Sequence, residues 1–428
     1  MHKIEHLLQT LAPKGVGFRK LGDIGEFYGG LVGKSKKSFS QGNKFYVPYI
    51  NVFNNPQLDL NALESVQIGD KEKQNTIQLG DVLFTGSSEN LEDCAMSCVV
   101  TQKIEKDIYL NSFCFGFRFF DKNLFNPSFL KHFLRDYNFR KNISKVANGV
   151  TRFNVSKQLL SKITIPIPPL EIQQEIVKIL DAFTELNTEL NTELNARKKQ
   201  YQYYQNMLLD FNDINQSHKD AKEKLAQKPY PKRLKTLLQT LAPKGVEFRK
   251  LGEVCEILDN RRIPIAKNKR NPGIYPYYGA NGIQDYIDSY IFDGDFVLVG
   301  EDGSVINKDN TPVVNWASGK IWVNNHAHVL QTKNELKLKF LYFYLQTIDV
   351  SYCVAGTPPK INQENLKKIT IPIPPLEIQQ EIVKILDQFS ILTTDLLAGI
   401  PAEIKARKKQ YEYYREKLLT FKPLQNKE

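Results

Sequence analysis

The sequence predicts an α+β fold. Two β-rich domains are joined by two long helices that form an antiparallel coiled coil, and a pseudo-two-fold internal repeat relates the halves. Three observations predict this. First, the chain is written twice. LLQTLAPKGVGFRKLG at 7–22 returns as LLQTLAPKGVEFRKLG at 237–252, with fifteen of 16 positions identical. KITIPIPPLEIQQEIVKILD at 162–181 returns unchanged at 368–387, and ARKKQYQYYQNMLL at 196–209 returns as ARKKQYEYYREKLL at 406–419. Second, the blocks between these copies, 24–161 and 254–367, align poorly. Each exceeds 110 residues, too large for loops and large enough to form domains. Third, apolar residues step 4-3-4-3-4 after each proline segment, as in a coiled-coil seam. They are Ile172, Ile176, Ile179, Phe183, Leu186 and Leu190, and then Ile378, Ile382, Ile385, Phe389, Leu392 and Leu396.

In chain order, residues 1–165 form a first β-rich domain with its lead-in, and 166–211 a long helix. A linker at 212–236 leads to a second β-rich domain at 237–371. A second long helix occupies 372–421 and a tail 422–428. Strand composition bounded by Gly, Asp and Asn marks 47–53, 80–85, 107–120, 295–300 and 320–330. Apolar spacings of three and four mark helices at 127–143 and 336–348. ITIPIPPL cannot be a central strand, because Pro has no N–H to donate. It is an edge strand or connector whose double Pro leads into a helix at Leu170 or Leu376. Nothing breaks the first helix from Leu170 to Phe211, about 63 Å at ~1.5 Å per residue. Gly399-Ile400-Pro401 should kink the second. Residues 184–195 read TELN three times, which is either neutral slippage or a length-setting insert.

The chain has 428 residues, and its 58 Lys and Arg against 47 Asp and Glu give a formal charge of +11. An anionic partner suits that balance. No apolar run could span a bilayer, and five Cys without a CxxC pair point to the reducing cytoplasm. Motifs for nucleotide binding, zinc proteolysis and a nucleophile elbow are missing. No catalytic residue is expected. Asn325-His326-Ala327-His328 places two imidazoles on one strand face. Two ligands do not make a metal site, so no metal is expected, and structural or DNA-facing roles are preferred. Glu301-Asp302-Gly303 reads as a turn, a cation ligand or an acceptor for a cytosine amino group.

The basic residues are more informative. Lys34, Lys36, Lys37 and Lys44 lie in an acid-free stretch between Phe27 and Leu58. Arg261, Arg262, Lys267, Lys269 and Arg270 lie in a second, interleaved with Tyr275, Tyr277, Tyr278 and Asn281. A third cluster runs from Lys131 to Lys157. Matched basic, aromatic-bearing surfaces in both divergent blocks point to nucleic acid, with Lys and Arg on phosphates and Arg, Asn and Gln on base edges. The repeated tyrosines Tyr201, Tyr204, Tyr411 and Tyr414 belong to helices with more apolar surface than one partner helix covers, and are expected to dock a partner.

With its doubled I-P-I-P-P-L-x-x-Q segment, long helices and variable blocks, the whole chain resembles the specificity subunits of type I restriction–modification systems. The resemblance implies a non-catalytic, sequence-specific DNA-binding subunit. Each variable block would be a target recognition domain reading one half of a split duplex site. The helices would set the gap and dock two methyltransferase subunits, and restriction motor subunits would join. This chain would carry no cofactor, with S-adenosylmethionine, ATP and Mg²⁺ on partners. The TELN run resembles the spacer-tuning repeats of that family. Thr151, Arg152 and Asn154 match its short loop in the first half, and Thr357, Lys360 and Asn362 in the second. A fused methyltransferase would need an NPPY or DPPY tetrapeptide, and the paired prolines here are IPPL and TPPK. A coiled-coil adaptor without specific DNA readout is the alternative.

Overall fold

The computed structural model describes residues 2–39, 41–211, 229–303, 305–394 and 399–424. The chain divides into two compact units, 1–190 with 404–428, and 191–403. Each unit therefore holds one variable block, the start of the helix that follows it, and the end of the other long helix.

In the first unit, β2 (Gly25–Gly29), β9 (Cys114–Phe119), β5 (Val82–Thr85) and β7 (Ser97–Val99) form a sheet in the order β2-β9-β5-β7. A second sheet runs β4 (Glu64–Val66), β3 (Lys44–Val47), β8 (Ile108–Leu110), and a third joins β10 (Ala147–Asn148) and β11 (Phe153–Val155) to β6 (Ser87–Ser88). β1 (Gly17–Lys20) pairs only with the proline strand β12 (Thr164–Ile167). That two-stranded ribbon lets the Pro residues sit where no inner ladder bond is needed. The core joins Phe84, Phe117 and Phe129 to Ile172, Ile176 and Leu180 of the helix Leu170–Leu209, and to Leu418 and Leu419 of the helix Ile400–Leu419.

The second unit repeats this scheme with fewer residues. β13 (Glu247–Lys250) pairs with the proline strand β20 (Thr370–Ile373). β14 (Cys255–Ile257), β19 (Ala327–Thr332), β17 (Phe292–Gly300), β18 (Val314–Val323), β15 (Pro272–Gly279) and β16 (Gly282–Ile287) form one sheet in the order β14-β19-β17-β18-β15-β16. The single strand β18 does the work of both β7 and β8. It pairs antiparallel with β17 at one end and parallel with β15 at the other. The shared topology is invisible in the aligned sequences.

In both units the two long helices run antiparallel. Asn126 binds Gln173 and Phe129 meets Phe421, whereas ten residues further along, Phe183 meets Tyr411 and Tyr414. In the second unit Lys337 binds Gln379 near Phe340 and Phe211, whereas Phe389 stacks on Tyr204. The seam departs from the sequence reading. Past Ile176, Leu180 is fully buried and Ile179 only half so, and Thr393, not Leu392, is buried. Both follow from a 3-4-3-4 stepping that starts at Gln173 and at Gln379.

Gln173 and Gln379 are buried polar residues in the first turn of their helices. Gln173 accepts from the Asn126 N–H at 2.8 Å and donates to the carbonyls of Pro168 and Leu124. Gln379 accepts from the Lys337 N–H at 2.7 Å and donates to Pro374 and Glu335. Each thus ties proline strand, variable block and long helix together.

Several boundaries differ from expectation. Pro48 ends the strand early, and Tyr49–Asn54 is a helix. The helical stretch from 127 splits at Asp136, whose carboxylate caps Tyr137–Val146. Most of the expected linker, 212–228, lies outside the described residues, and its end is helical from Lys232 to Leu241. The second long helix is described as Leu376–Thr394 and Ile400–Leu419, so the expected kink falls beside residues 395–398, which lie outside the description. Gly399 is required there, since a Cβ would lie 2.4 Å from the Ile391 carbonyl oxygen. No described helix is long and apolar enough to cross a membrane.

Candidate nucleic-acid interface

Both units place the segment before the proline strand at the same point of their sheets. In the first, β11 pairs with β6, with Asn154 opposite Ser87. In the second, Lys360 bridges Asp302, and the Gly303 N–H donates to the Pro359 carbonyl. Thr85 pairs with Cys114 as Gly300 pairs with Ala327. Ser87 therefore corresponds to Asp302, and Asn154 to Lys360. Thr151, Arg152, Asn154, Thr357 and Lys360 are exposed on these segments.

The frame pairs the loop residues differently from the sequence match. Asn362 corresponds to Ser156, and both cap the next helix. Ser156 accepts from the Leu159 N–H and Asn362 from the Asn365 N–H. The exposed Asn362 carboxamide therefore serves as a helix cap.

The basic residues sort by partner. Lys36 and Lys37 are exposed on a short 3₁₀ turn, and Lys267 on another. Lys44 pairs with Asp107 at 3.3 Å on the surface. Arg261 lies over the Phe292 ring at 4.7 Å and stays exposed. Two expected contacts face inward. Lys34 is 9% exposed and bonds Glu72 at 2.5 Å and the Gln67 carbonyl at 2.6 Å. That pairing holds the Glu72 carboxyl down at about 2. Arg262 is 11% exposed. It bonds Glu301 at 2.6 Å, Asp259 at 3.3 Å and the Ala327 carbonyl at 2.8 Å. Tyr278 is buried in the sheet, while Asn281 is exposed at the β15–β16 turn.

Asp259, Glu301 and His328 come within reach of a common cation. The carboxylates already hold protein cations, Arg262 on both and Lys360 on Glu301 at 3.1 Å. His328, fully buried, bonds Asp259 at 2.6 Å and the Ile361 carbonyl at 2.8 Å. Burial works to raise the Asp259 carboxyl, yet His328 and Arg262 bring it below its ordinary value. The cluster anchors the segment carrying Thr357 and Lys360 from beneath. The equivalent place in the first unit carries Gly86, Ser87 and Asn154, with Phe115 in the position of His328 and Lys157 over its ring at 5.3 Å.

The tyrosines expected to dock a partner are half-buried in helix packing. Tyr204 stacks on Phe389 at 5.2 Å, and Tyr411 and Tyr414 meet Phe183 at 6.3 and 5.5 Å. Tyr201 packs on the second core. Heptad stepping puts them on the seam, and the exposed tyrosines of the motif are Tyr203 and Tyr413.

A family model described as the type I restriction modification DNA specificity domain matches residues 13–200 and 243–406. The chain belongs to that family. It is the DNA-specificity component of a type I system and not a catalytic one. This specificity chain is 45% identical over 179 residues to a putative type I restriction enzyme specificity subunit of Haemophilus influenzae, covering 41% of this chain and 46% of that protein. It is 34% identical over 269 residues to a putative type I specificity subunit of Mycoplasma pneumoniae, covering 61% of this chain and 98% of that one. The crystal structure of the S subunit of a type I restriction–modification system from M. genitalium superposes with a TM-score of 0.53 at 15% identity, covering 95% of this chain and 96% of that one. At that identity the likeness shows the fold alone.

Proposed function

We propose that this specificity chain reads a bipartite duplex, one half-site per unit. The observation that supports it is the contrast within a shared frame. The two units repeat strand order, proline ribbon and helix anchor, yet the side chains at matched positions differ, with Gly86, Ser87 and Asn154 in one unit where Glu301, Asp302 and Lys360 stand in the other. Phosphate contacts hold register and base-edge contacts carry sequence, so the same frame with different side chains reads different bases. Lys36, Lys267, Arg152, Arg261 and Asn281 are the exposed donors proposed to face DNA.

The long helices set the gap between half-sites. Two methyltransferase subunits dock on the repeated surfaces, where Leu11 and Leu241, Leu170 and Leu376, and Tyr203 and Tyr413 are exposed in both copies. Restriction motor subunits complete the complex in the cytoplasm, and S-adenosylmethionine, ATP and Mg²⁺ reside on partners. The test is to map methylated adenines with the native chain and with residues 24–161 replaced by another block. One half of the site should change and the other persist. A change in both halves would refute independent reading.

A further inference from the structure

We propose that Phe113 and His326 occupy one equivalent position in the two units, and that each is a base-contacting residue setting one position of its half-site. The inference rests on the DNA-reading role above and names residues no sequence match assigns.

The equivalence is geometric. Phe113 immediately precedes Cys114, which pairs with Thr85, and His326 immediately precedes Ala327, which pairs with Gly300. An Asn two residues earlier fixes each turn. The Asn111 side chain accepts from the Phe113 N–H at 2.8 Å, and the Asn324 side chain from the His326 N–H at 2.8 Å. Both carbonyls are held as well, Phe113 O by the Gly86 N–H at 2.7 Å and His326 O by the Glu301 N–H at 2.9 Å. Even the entry matches, since the Asn111 N–H donates to Val47 and the Asn324 N–H to Tyr278. A single exposed apolar residue means little by itself. Here hydrogen bonds hold the backbone while the side chains stay accessible, Phe113 being 65% exposed and the His326 side chain 47%.

The surroundings fit a base edge. Phe113 stands between two open hollows of about 410 and 400 Å³, one lined by Asn154 and Lys157 and the other by Tyr49, Asn90 and Arg152. Phe113 therefore borders the segment that carries Arg152 and Asn154. His326 lies beside the anchored segment of Lys360, because its partner Asp302 bridges that residue.

The two side chains differ in chemistry. Phe113 offers no hydrogen bond, so its contact is apolar, and the thymine methyl is the apolar feature of the major groove. His326 Nδ1 lies 2.5 Å from the Asp302 carboxylate. The carboxylate accepts, so Nδ1 carries the proton, and in the neutral imidazole Nε2 is the acceptor. An outward acceptor suits the amino group of adenine or cytosine. Asp302 is thus a positioning residue, and the first unit has Ser87 in its place.

The test uses the full chain with its methyltransferase partner on a pool of randomised duplexes, reading which sequences are methylated. Phe113→Ala and Phe113→Leu should each relax one position of one half-site, Phe113→Ala by about tenfold in preference. His326→Ala should relax one position of the other half-site. Asp302→Asn keeps the ring but removes the carboxylate that holds the Nδ1 proton, and should shift preference at the same position as His326→Ala. Unchanged half-sites in all four variants, with a bipartite native site, would overturn this inference and leave the reading of the units intact. So would a uniform loss across all sequences, which marks a backbone or structural contact. A native complex that yields no bipartite site would overturn both.

Discussion

Arg262→Ala tests whether that guanidinium serves the fold or the DNA. The substitution removes a cation from a site where Asp259, Arg262 and Glu301 have side chains 8, 11 and 13% exposed. It also strips the Ala327 carbonyl of its 2.8 Å donor. Breaking a buried pair by deleting one partner costs about 3–5 kcal/mol, because the other charge stays buried. With a urea dependence of about 2 kcal/mol per molar, the midpoint should fall by about 1.5–2.5 M. Both tryptophans, Trp316 and Trp322, lie in β18, so their fluorescence follows the second unit alone. Arg262→Ala combined with Glu301→Ala should cost less than the sum of the single changes, since fewer charges are left unpaired. An unchanged midpoint, with the salt slope of DNA binding reduced by about one, would refute this argument and restore Arg262 as a phosphate contact.

Gln173→Leu should destabilise the first unit by about 2–4 kcal/mol, because it orphans the Asn126 N–H and two carbonyls; a wild-type melting profile would contradict the anchor. Deleting Thr188–Asn191 shortens a continuous helix by about 6 Å and turns it by about 40°, and it makes the seam step 3-3 once. The half-sites should persist with the gap altered by about one base pair in a methylation map, and an unaltered gap would sink the ruler role. Burial pushes the Cys98, Cys114 and Cys255 thiols up to about 12. A thiol reagent at pH 8 should therefore miss all three in the folded chain and reach them on unfolding. Because the Asp259 carboxyl is lowered in the folded chain, its stabilisation is present above the ordinary carboxylate range and is lost as pH falls through the lowered value. Tryptophan-monitored stability should thus decline below about pH 4, and a flat acid profile would count against the cluster.

The repeat, the proline ribbon and the helix starts at Leu170 and Leu376 were legible because each is a local signal. The seam was legible only in part. Ile179 and Leu180 are adjacent and both apolar, and the buried Gln173 that sets the stepping reads as a surface residue. Lys34 and Arg262 were misjudged for a different reason. Each stands in an acid-free stretch, but Glu72 and Glu301 arrive from 38 and 39 residues away, and Asp259 lies just outside the stretch that holds Arg262. Charge density along the chain says nothing of such pairs. The common frame of the two blocks was hidden because backbone pairing, not side-chain identity, carries it. Asn111 and Asn324 were visible as N-S-F and N-N-H, yet only the strand register shows that they make the same turn.

The glutamine anchor has a consequence for how such chains diversify. The hydrogen bonds of Gln173 and Gln379 to the variable blocks go to main-chain atoms, the N–H of Asn126 and carbonyl of Leu124 in one, and the N–H of Lys337 and carbonyl of Glu335 in the other. Asn and Lys, or Leu and Glu, share nothing but a backbone, so the socket is blind to the identity of what it grips. A recombination crossover within the identical 162–181 and 368–387 stretches would deliver a foreign block already carrying the atoms the socket needs. New specificity can then arrive in one step, without any compensating change in the scaffold that receives it.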